Sequence, residues 1–593
     1  MKIHTNKTLL ALCCVVSFMF AACSGSKSDG PTTSTKLDDP SVTMHELTDC
    51  DKLNPVLSSS ANSTYVEGNI FWGLLTTNFK TLEFEGQLAV SRPEIKNVTE
   101  GEYAGGMSLT YEIRPEATWD NGKPILASDY VFTMKIIKNP KVQAANIRPY
   151  MEFIDDVKID ANNPKKFTVF AKKPYFLAEA FSGYTIYPEY VYDPKGLMKD
   201  FKLKELNDTK NKDKFLNNPK IQEFAKEFNS SKFAREKGFV VGSGPYEFTE
   251  WETGQQIVLT KKKNWWGDKV PALKVNPTKI VYKVRTDWTA TVSEMKSEKI
   301  DLSRSMRPSD FVDLKKNKLF NSLFNLHSPV HLAYDYIGFN RKNPRLEDKR
   351  VRRAIAHLVN TNEIIDVLLY GLGEPVTGPI HPSKSYYNKN LKRINYDVEK
   401  AVGLLKEAGW EDTDNNGIVD KIVDGKKMEM KLKYTTNAGR EHRKNIGILL
   451  KENAKRAGIE IEVEILEWTV FLEKNKRREF DLKCLGWVQS PMPDDMKQIW
   501  HTSSDSPDGS NQVGFGNEES DRIIDKIRET IDEGERAKLY MRIQELIYED
   551  QPYVFLMSPR ERIAIHNRFD NADTYVARPG YDESKFALKQ SAE

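Results

Sequence analysis

Residues 480–495 read FDLKCLGWVQSPMPDD. Phe480, Leu482 and Cys484 alternate with Asp481 and Lys483, the period-two pattern of a strand with one face more buried than the other. Gly486 then drops the side chain, Trp487 supplies a large flat one, and a polar loop broken by proline follows. In an open sheet, a strand ending in Gly-Trp carries an aromatic surface to the carboxyl edge, where such sheets hold their ligands. The competing reading is a core tryptophan beside a tight turn. The order of the elements in front of this strand favours the edge.

Met428 to Thr435 (MEMKLKYT) alternates apolar and charged residues and reads as a strand. Gly439 to Ala457 reads as a helix, with Ile446, Leu449, Leu450 and Ala454 on one face and Gly458 just past its end. Ile459 to Leu466 (IEIEVEIL) alternates again, with isoleucine and valine on one side and three glutamates on the other. Trp468 to Arg478 is a short helical stretch, and the Gly-Trp strand follows. This β-α-β-α-β order predicts parallel strands with right-handed crossovers. The glutamate face predicts a sheet edge or a wetted surface, because fully covered parallel strands rarely alternate. Trp487 therefore falls where a doubly wound domain places its binding crevice.

At 593 residues the chain exceeds a single core and calls for two or more lobes. Of its residues 39% are hydrophobic and 29% charged, with a net charge of only +3. Short basic runs such as Lys261-Lys262-Lys263 read as solvated faces, so no nucleic-acid footprint is expected. Lys2 and Lys7 precede an apolar run, Leu9 to Ala22, too short to span a bilayer. It ends Phe20-Ala21-Ala22-Cys23 and resembles the lipobox of bacterial lipoproteins, which implies acylation of Cys23. A plain secretory peptide cleaved nearby is the alternative. Residues 23–40 read as a flexible polar tether, and no later stretch is long and apolar enough to cross a membrane. Of five cysteines, Cys13 and Cys14 leave with residues 1–22 and Cys23 is consumed. Cys50 and Cys484 remain, so neither a disulfide framework nor a cysteine metal site is expected; the two could pair, but free buried thiols are the simpler reading.

Along the chain, Ser58 to Thr64 is hydroxyl-rich and either caps a helix start or offers small polar groups to a ligand. Thr118 to Asn139 contains a turn at Asp120-Asn121-Gly122 and a helix capped near Ser128. Val240 to Phe248 (VVGSGPYEF) lacks the glycines and the Lys-Ser/Thr of a phosphate loop and reads as a structural turn. Asp348 to Val359 and Asp397 to Ala408 read as amphipathic helices. Asp412-Thr-Asp414-Asn-Asn416-Gly417 has the look of half a calcium loop, but its twelfth position is Val423, where a bidentate glutamate is needed. A hydrophilic turn without metal is expected.

Several blocks in order resemble the solute-binding proteins of ABC transporters, in the oligopeptide- and dipeptide-binding family. They are TWDNGKP to DYVFT (118–133), GSGPYEF (242–248), NWWG (264–267), DKRVRRAIAHLVN (348–360), YDVEKAVGLLKEAGW (396–410), the Gly-Trp strand and YEDQPYVFL (548–556). The resemblance spans almost the whole mature chain. It implies an α/β fold of two lobes joined by two crossing segments, with the ligand enclosed between them. The expected division is 41–283 for lobe I, 284–548 for lobe II and 549–593 for the return to lobe I. By the same resemblance Gly486, Trp487, Val488 and Ser490 form one wall of the ligand site, Ser59, Ser60 and Ala61 part of the opposite wall, and Tyr150 a pocket aromatic. Similar peptide binders carry an aspartate three residues after the tryptophan to meet the peptide's α-ammonium; here that position is Ser490. A hydroxyl is a poor partner for a buried ammonium, so either Asp494 or Asp495 takes the role or the ligand is not a free peptide.

The expectation is an exported, lipid-anchored, monomeric capture protein with no cofactor and no metal, touching the membrane through its N-terminal lipid alone. It would close on a small solute, a peptide among the candidates, and hand it to a membrane permease. Alternatives are a sensor subunit, a binder of sugars or metal chelates, and an exported hydrolase. The last is disfavoured by the lack of G-x-S-x-G, H-E-x-x-H or a Cys/His constellation.

Overall fold

The strands around Trp487 pair as their pattern predicts. In the computed structural model, which describes residues 38–590 apart from Ala145, Ser305, Asp424, Pro507 and Asp508, Lys431–Asn437 pairs in parallel with Glu460–Leu466 on one side and Leu482–Val488 on the other. Glu460–Leu466 is the outer strand of a six-stranded sheet, so Glu460 and Glu462 meet water, while Glu464 is half-buried beside Lys474 at 2.7 Å and Ile465 at the far end is exposed. Inward from it the order is Lys431–Asn437, Leu482–Val488, Ala333–Phe339, Tyr553–Pro559 and Gly373–Pro375. Ala333–Phe339 runs antiparallel to both of its neighbours. The stretch from Met428 does not form one strand: Lys426–Glu429 makes a hairpin with Asp420–Val423, and only Lys431–Asn437 enters the sheet.

The first half of Leu482–Val488 is covered on both faces, where the alternation had predicted one face more buried than the other. Leu482 and Cys484 pack under the helices Lys349–His357, Val398–Glu407 and Glu441–Lys455. Leu485 and Trp487 pack against a second cluster built on Glu518–Glu529 and Glu533–Asp550. Lys483 is buried, donating to Gln512 Oε1 at 2.5 Å.

A seven-stranded sheet carries the other large core. Its order is Phe324–His327, Ile563–His566, Leu302–Ser303, Ser41–Glu46, Lys279–Val284, Gln256–Lys261 and Tyr246–Glu252. A four-stranded antiparallel sheet (Glu94–Asn97, Met107–Glu112, Lys166–Ala171, Asp156–Ile159) shares that core. By sheet membership the chain leaves the seven-stranded sheet after His327 and returns at Ile563. These points differ from the divisions at 284 and 548, because the strands at Leu302–Ser303 and Phe324–His327 still pair within the first sheet and Tyr548 lies inside the helix Glu533–Asp550. The two connecting stretches pair with each other: Val330 bridges Arg560, His331 N–H donates to Pro559 O at 2.8 Å, and Glu561 N–H to Pro329 O at 2.8 Å.

Local signals held with small shifts. Asp348 and Asp397 cap their helices through their carboxylates. The helix expected to be capped near Ser128 is Ala127–Lys138, and the carboxylate of Asp129 does the work, accepting from Leu126 N–H at 2.9 Å and Trp119 Nε1–H at 3.1 Å. Cys50 is half-buried and Cys484 buried, and both are free. No helix among the described residues is long and apolar enough to cross a membrane.

Candidate functional site

Trp487 and Gly486 sit at the carboxyl end of their strand, directly opposite Tyr334 and Asp335. Gly486 is required there: a Cβ would lie 2.3 Å from Asp335 Oδ1 and 2.7 Å from Arg443 Nη2. Those two atoms form an ion pair at 2.7 Å, and His442 Nε2 lies 2.9 Å from the other Asp335 oxygen. Burial alone would raise Asp335, but the Arg443 guanidinium and His442 outweigh it and hold the carboxyl below the usual range. The Trp487 indole is half-buried against its cluster, with Nε1–H 3.4 Å from the Tyr553 hydroxyl. Val488 beyond it is 55% exposed. Trp487 thus serves partly as the core residue of the competing reading, while Val488 supplies the open apolar surface.

The loop that follows is organised by a lysine the sequence reading missed. Lys384, buried, donates to Ser490 O at 2.7 Å and Met492 O at 2.6 Å and lies 3.0 Å from Asp494 Oδ2. Tyr386 donates to the same carboxylate at 2.9 Å. Asp494 is therefore committed to holding its own loop. The Ser490 hydroxyl accepts from Met492 N–H at 3.2 Å. Asp495, half-buried, lies 3.3 Å from Arg528 Nε and is the less encumbered of the two aspartates.

Ser59, Ser60 and Ala61, expected on the opposite wall, stand at the start of the helix Ala61–Ile70. Ser60 accepts from Ser63 N–H at 3.0 Å, the capping role. Ser59 N–H and hydroxyl both donate to Asp51 Oδ2 at 2.9 Å. Burial alone would raise Asp51, but the hydrogen bonds from Ser63, Ser59 and Ser60 outweigh it and lower its carboxyl. Tyr150 is exposed and stacks on Phe181 at 4.6 Å.

The four-stranded module touches the helices of the six-stranded sheet beyond these residues. Phe176 N–H donates to Arg528 O at 3.0 Å, and the Arg528 guanidinium lies 5.9 Å from the Tyr175 ring. Arg92 holds Glu179 at 2.6 Å and reaches Glu533 at 3.4 Å. The two lobes thus meet at their rims as well as along the connecting stretches.

Trp468, 47% exposed, follows the edge strand Glu460–Leu466 and presents a second aromatic at the same carboxyl edge. The signal was legible: a strand pattern ending in Glu467-Trp468, like the one ending in Gly486-Trp487. A cavity of about 630 Å³ takes Ala61 among the predicted residues and otherwise runs along the helix Ala61–Ile70 beneath residues 575–585. Residues 412–417 form the expected turn: Asp412 accepts from Asn416 and Gly417 N–H at 3.1 and 2.9 Å, and Lys427 Nζ lies 2.6 Å from Asp414 and 3.1 Å from Asp420. The carboxylates of Asp412, Asp414 and Asp420 lie within 4.8 Å of one another, with the Lys427 ammonium beside two of them. Cys23 lies outside the described residues.

Residues 84–510 match the family described as bacterial extracellular solute-binding proteins, family 5. The oligopeptide-binding protein AppA of Bacillus subtilis is 28% identical over 593 residues, covering 98% of this chain and 99% of that protein. The solved structure of Bacillus subtilis AppA in complex with a nonapeptide has a TM-score of 0.65 at 25% identity, over 93% of this chain and 99% of that one. NikA from Brucella suis, solved with Fe(III)-EDTA, shares the fold with a TM-score of 0.72 at 20% identity, over 93% and 100%.

Proposed function

This chain belongs to the bacterial extracellular solute-binding proteins of family 5, and from that membership we propose that it captures a peptide or similar small solute outside the cytoplasm. It does so by closing two lobes and delivers the closed form to an ABC permease. The observation that carries the reading is the carboxyl edge of the six-stranded sheet. There Val488 leaves apolar surface open beside the paired connecting stretches, Trp468 leaves more past the outer strand, and the rims of the lobes also meet. A solute touching both lobes stabilises only the closed arrangement. The relevant division of lobes is 41–327, 333–559 and 563–590, with hinges at 328–332 and 560–562.

A second reading within the same class concerns the solute. Ser490 stands where an amine-binding aspartate is expected, and Asp494 is paired with buried Lys384. This supports a solute without a free α-ammonium at that wall, and a relative of the same fold was solved with a metal chelate. The chain acts as a binding protein rather than an enzyme, as a monomer anchored through Cys23, in line with the lipobox-like Ala21-Ala22-Cys23.

The test is native mass spectrometry of the purified protein for a co-purified solute, repeated on Val488→Arg. That side chain stands in solvent, so the unfolding temperature should hold within about a degree while solute binding falls at least about tenfold. Undiminished binding in Val488→Arg would remove the wall from the site.

A further inference from the structure

The 630 Å³ cavity lies on the seven-stranded-sheet side alone, and its charges are unusually disposed. Three carboxylates line it. Glu583, buried, accepts from Asn69 Nδ2 and the Tyr282 hydroxyl, each at 2.8 Å. Asp582 accepts from Ser584 N–H at 3.2 Å and its hydroxyl at 2.6 Å. Glu85 accepts from Asn78 Nδ2 at 3.1 Å. Among the described residues no lysine, arginine or histidine nitrogen makes an ion pair with any of the three. Three cations also line the cavity, and each is held elsewhere. Lys80 lies 3.1 Å from Asp573, Arg578 Nε donates to His331 at 2.8 Å, and Lys585 Nζ donates to Lys274 O at 2.8 Å. Lys585 still feels Asp582 and Glu85, but its own burial lowers its pKa.

The remaining wall suits an organic cation. Trp72, Phe79, Tyr575 and Tyr581 bring aromatic surface to the cavity, and one ring of the same wall already carries a cation, with the Arg304 guanidinium 4.3 Å from Tyr65. A carboxyl buried without a cationic partner is costly in its charged form.

We propose that this cavity binds a molecule carrying a primary ammonium on an apolar or aromatic body, with Glu583 as the acceptor. The reading does not depend on the cleft between the lobes. Burial pushes the Glu583 carboxyl up to about 7, so an arriving ammonium displaces its proton to solvent. Affinity therefore rises between about pH 6 and pH 8.

Isothermal titration with 2-phenylethylammonium, against the neutral 2-phenylethanol, tests it. The amine should bind at least about tenfold more tightly than the alcohol, and Glu583→Gln should lower amine affinity about tenfold and flatten its pH profile. Glutamine keeps an acceptor oxygen for Asn69 and Tyr282. Should that variant not fold, Glu85→Gln at the exposed rim reads instead, with a loss of about two- to fivefold. Val488→Arg should bind the amine as the parent does. Equal binding of the alcohol, no binding of the amine, an unchanged Glu583→Gln profile, an unchanged Glu85→Gln affinity where that variant is the readout, or loss in Val488→Arg would each overturn the assignment.

Discussion

Lys483 shows how much one residue depends on what covers it. Between Leu482 and Cys484 it reads as the solvent side of a half-buried strand, yet it is buried beneath the loop that carries Gln512. Burial lowers its ammonium pKa to about 7 from 10.5, and Arg478 adds to the effect. The unfolded chain keeps that proton up to about 10.5 and the folded chain loses it near 7. The unfolded state thus binds more protons in between, and stability rises with pH across that window. Lys483→Met should be neutral to stabilising at pH 7, by up to about 2 kcal/mol, and should lack the rise toward pH 10. Thermal unfolding followed across pH checks both. Gly486 is the opposite case: its importance was legible, but its reason, room for the Asp335–Arg443 pair, was not.

At the scale of elements, motifs distant in sequence converge on the helix Ala61–Ile70. Gly244 N–H donates to Ile70 O at 2.8 Å, and a Cβ on Gly244 would lie 2.6 Å from Asn69 O. Trp265 and Trp266 both donate their indole N–H to Ser243 O, at 3.1 and 3.0 Å. The GSGPYEF and NWWG blocks therefore serve one purpose, fixing the end of the helix whose start carries Ser60 and Ala61. The turn read at Gly242 and Gly244 leads into the strand Tyr246–Glu252, and its partner was invisible because the contact spans more than 170 residues (Ser243 to Trp72 O, 3.1 Å). Gly244→Ala should cost about 1–3 kcal/mol, seen as a lower unfolding temperature, because backbone rather than a flexible side chain must move.

For the whole molecule, closure is the quantity that matters. Arg92 ties Glu179 on its own side to Glu533 across the rim. The Glu533 contact is long and exposed, so its contribution is small. Arg92→Ala should weaken solute binding by no more than about fivefold at low salt, with the difference shrinking as ionic strength rises. Affinity measured at two salt concentrations decides it; a large, salt-independent loss would show that Arg92 acts on the fold instead.

Period-two and helical patterns, caps and the β-α-β order are local properties of covalently near residues. The sequence alone therefore determined the parallel strands and the placing of Trp487 at a carboxyl edge, and narrowed Glu460–Leu466 to a sheet edge or a wetted surface, of which the structure shows the edge. Which strands from the two ends of the chain share a sheet is settled by burial across hundreds of residues, so the pairing of residues 329–331 with 559–561 emerged only in three dimensions. The same holds for the pairing of Asp494 with Lys384 and for the roof that residues 575–585 place over the helix Ala61–Ile70. A charge finds its partner through packing, and nothing in its neighbours along the chain records which one.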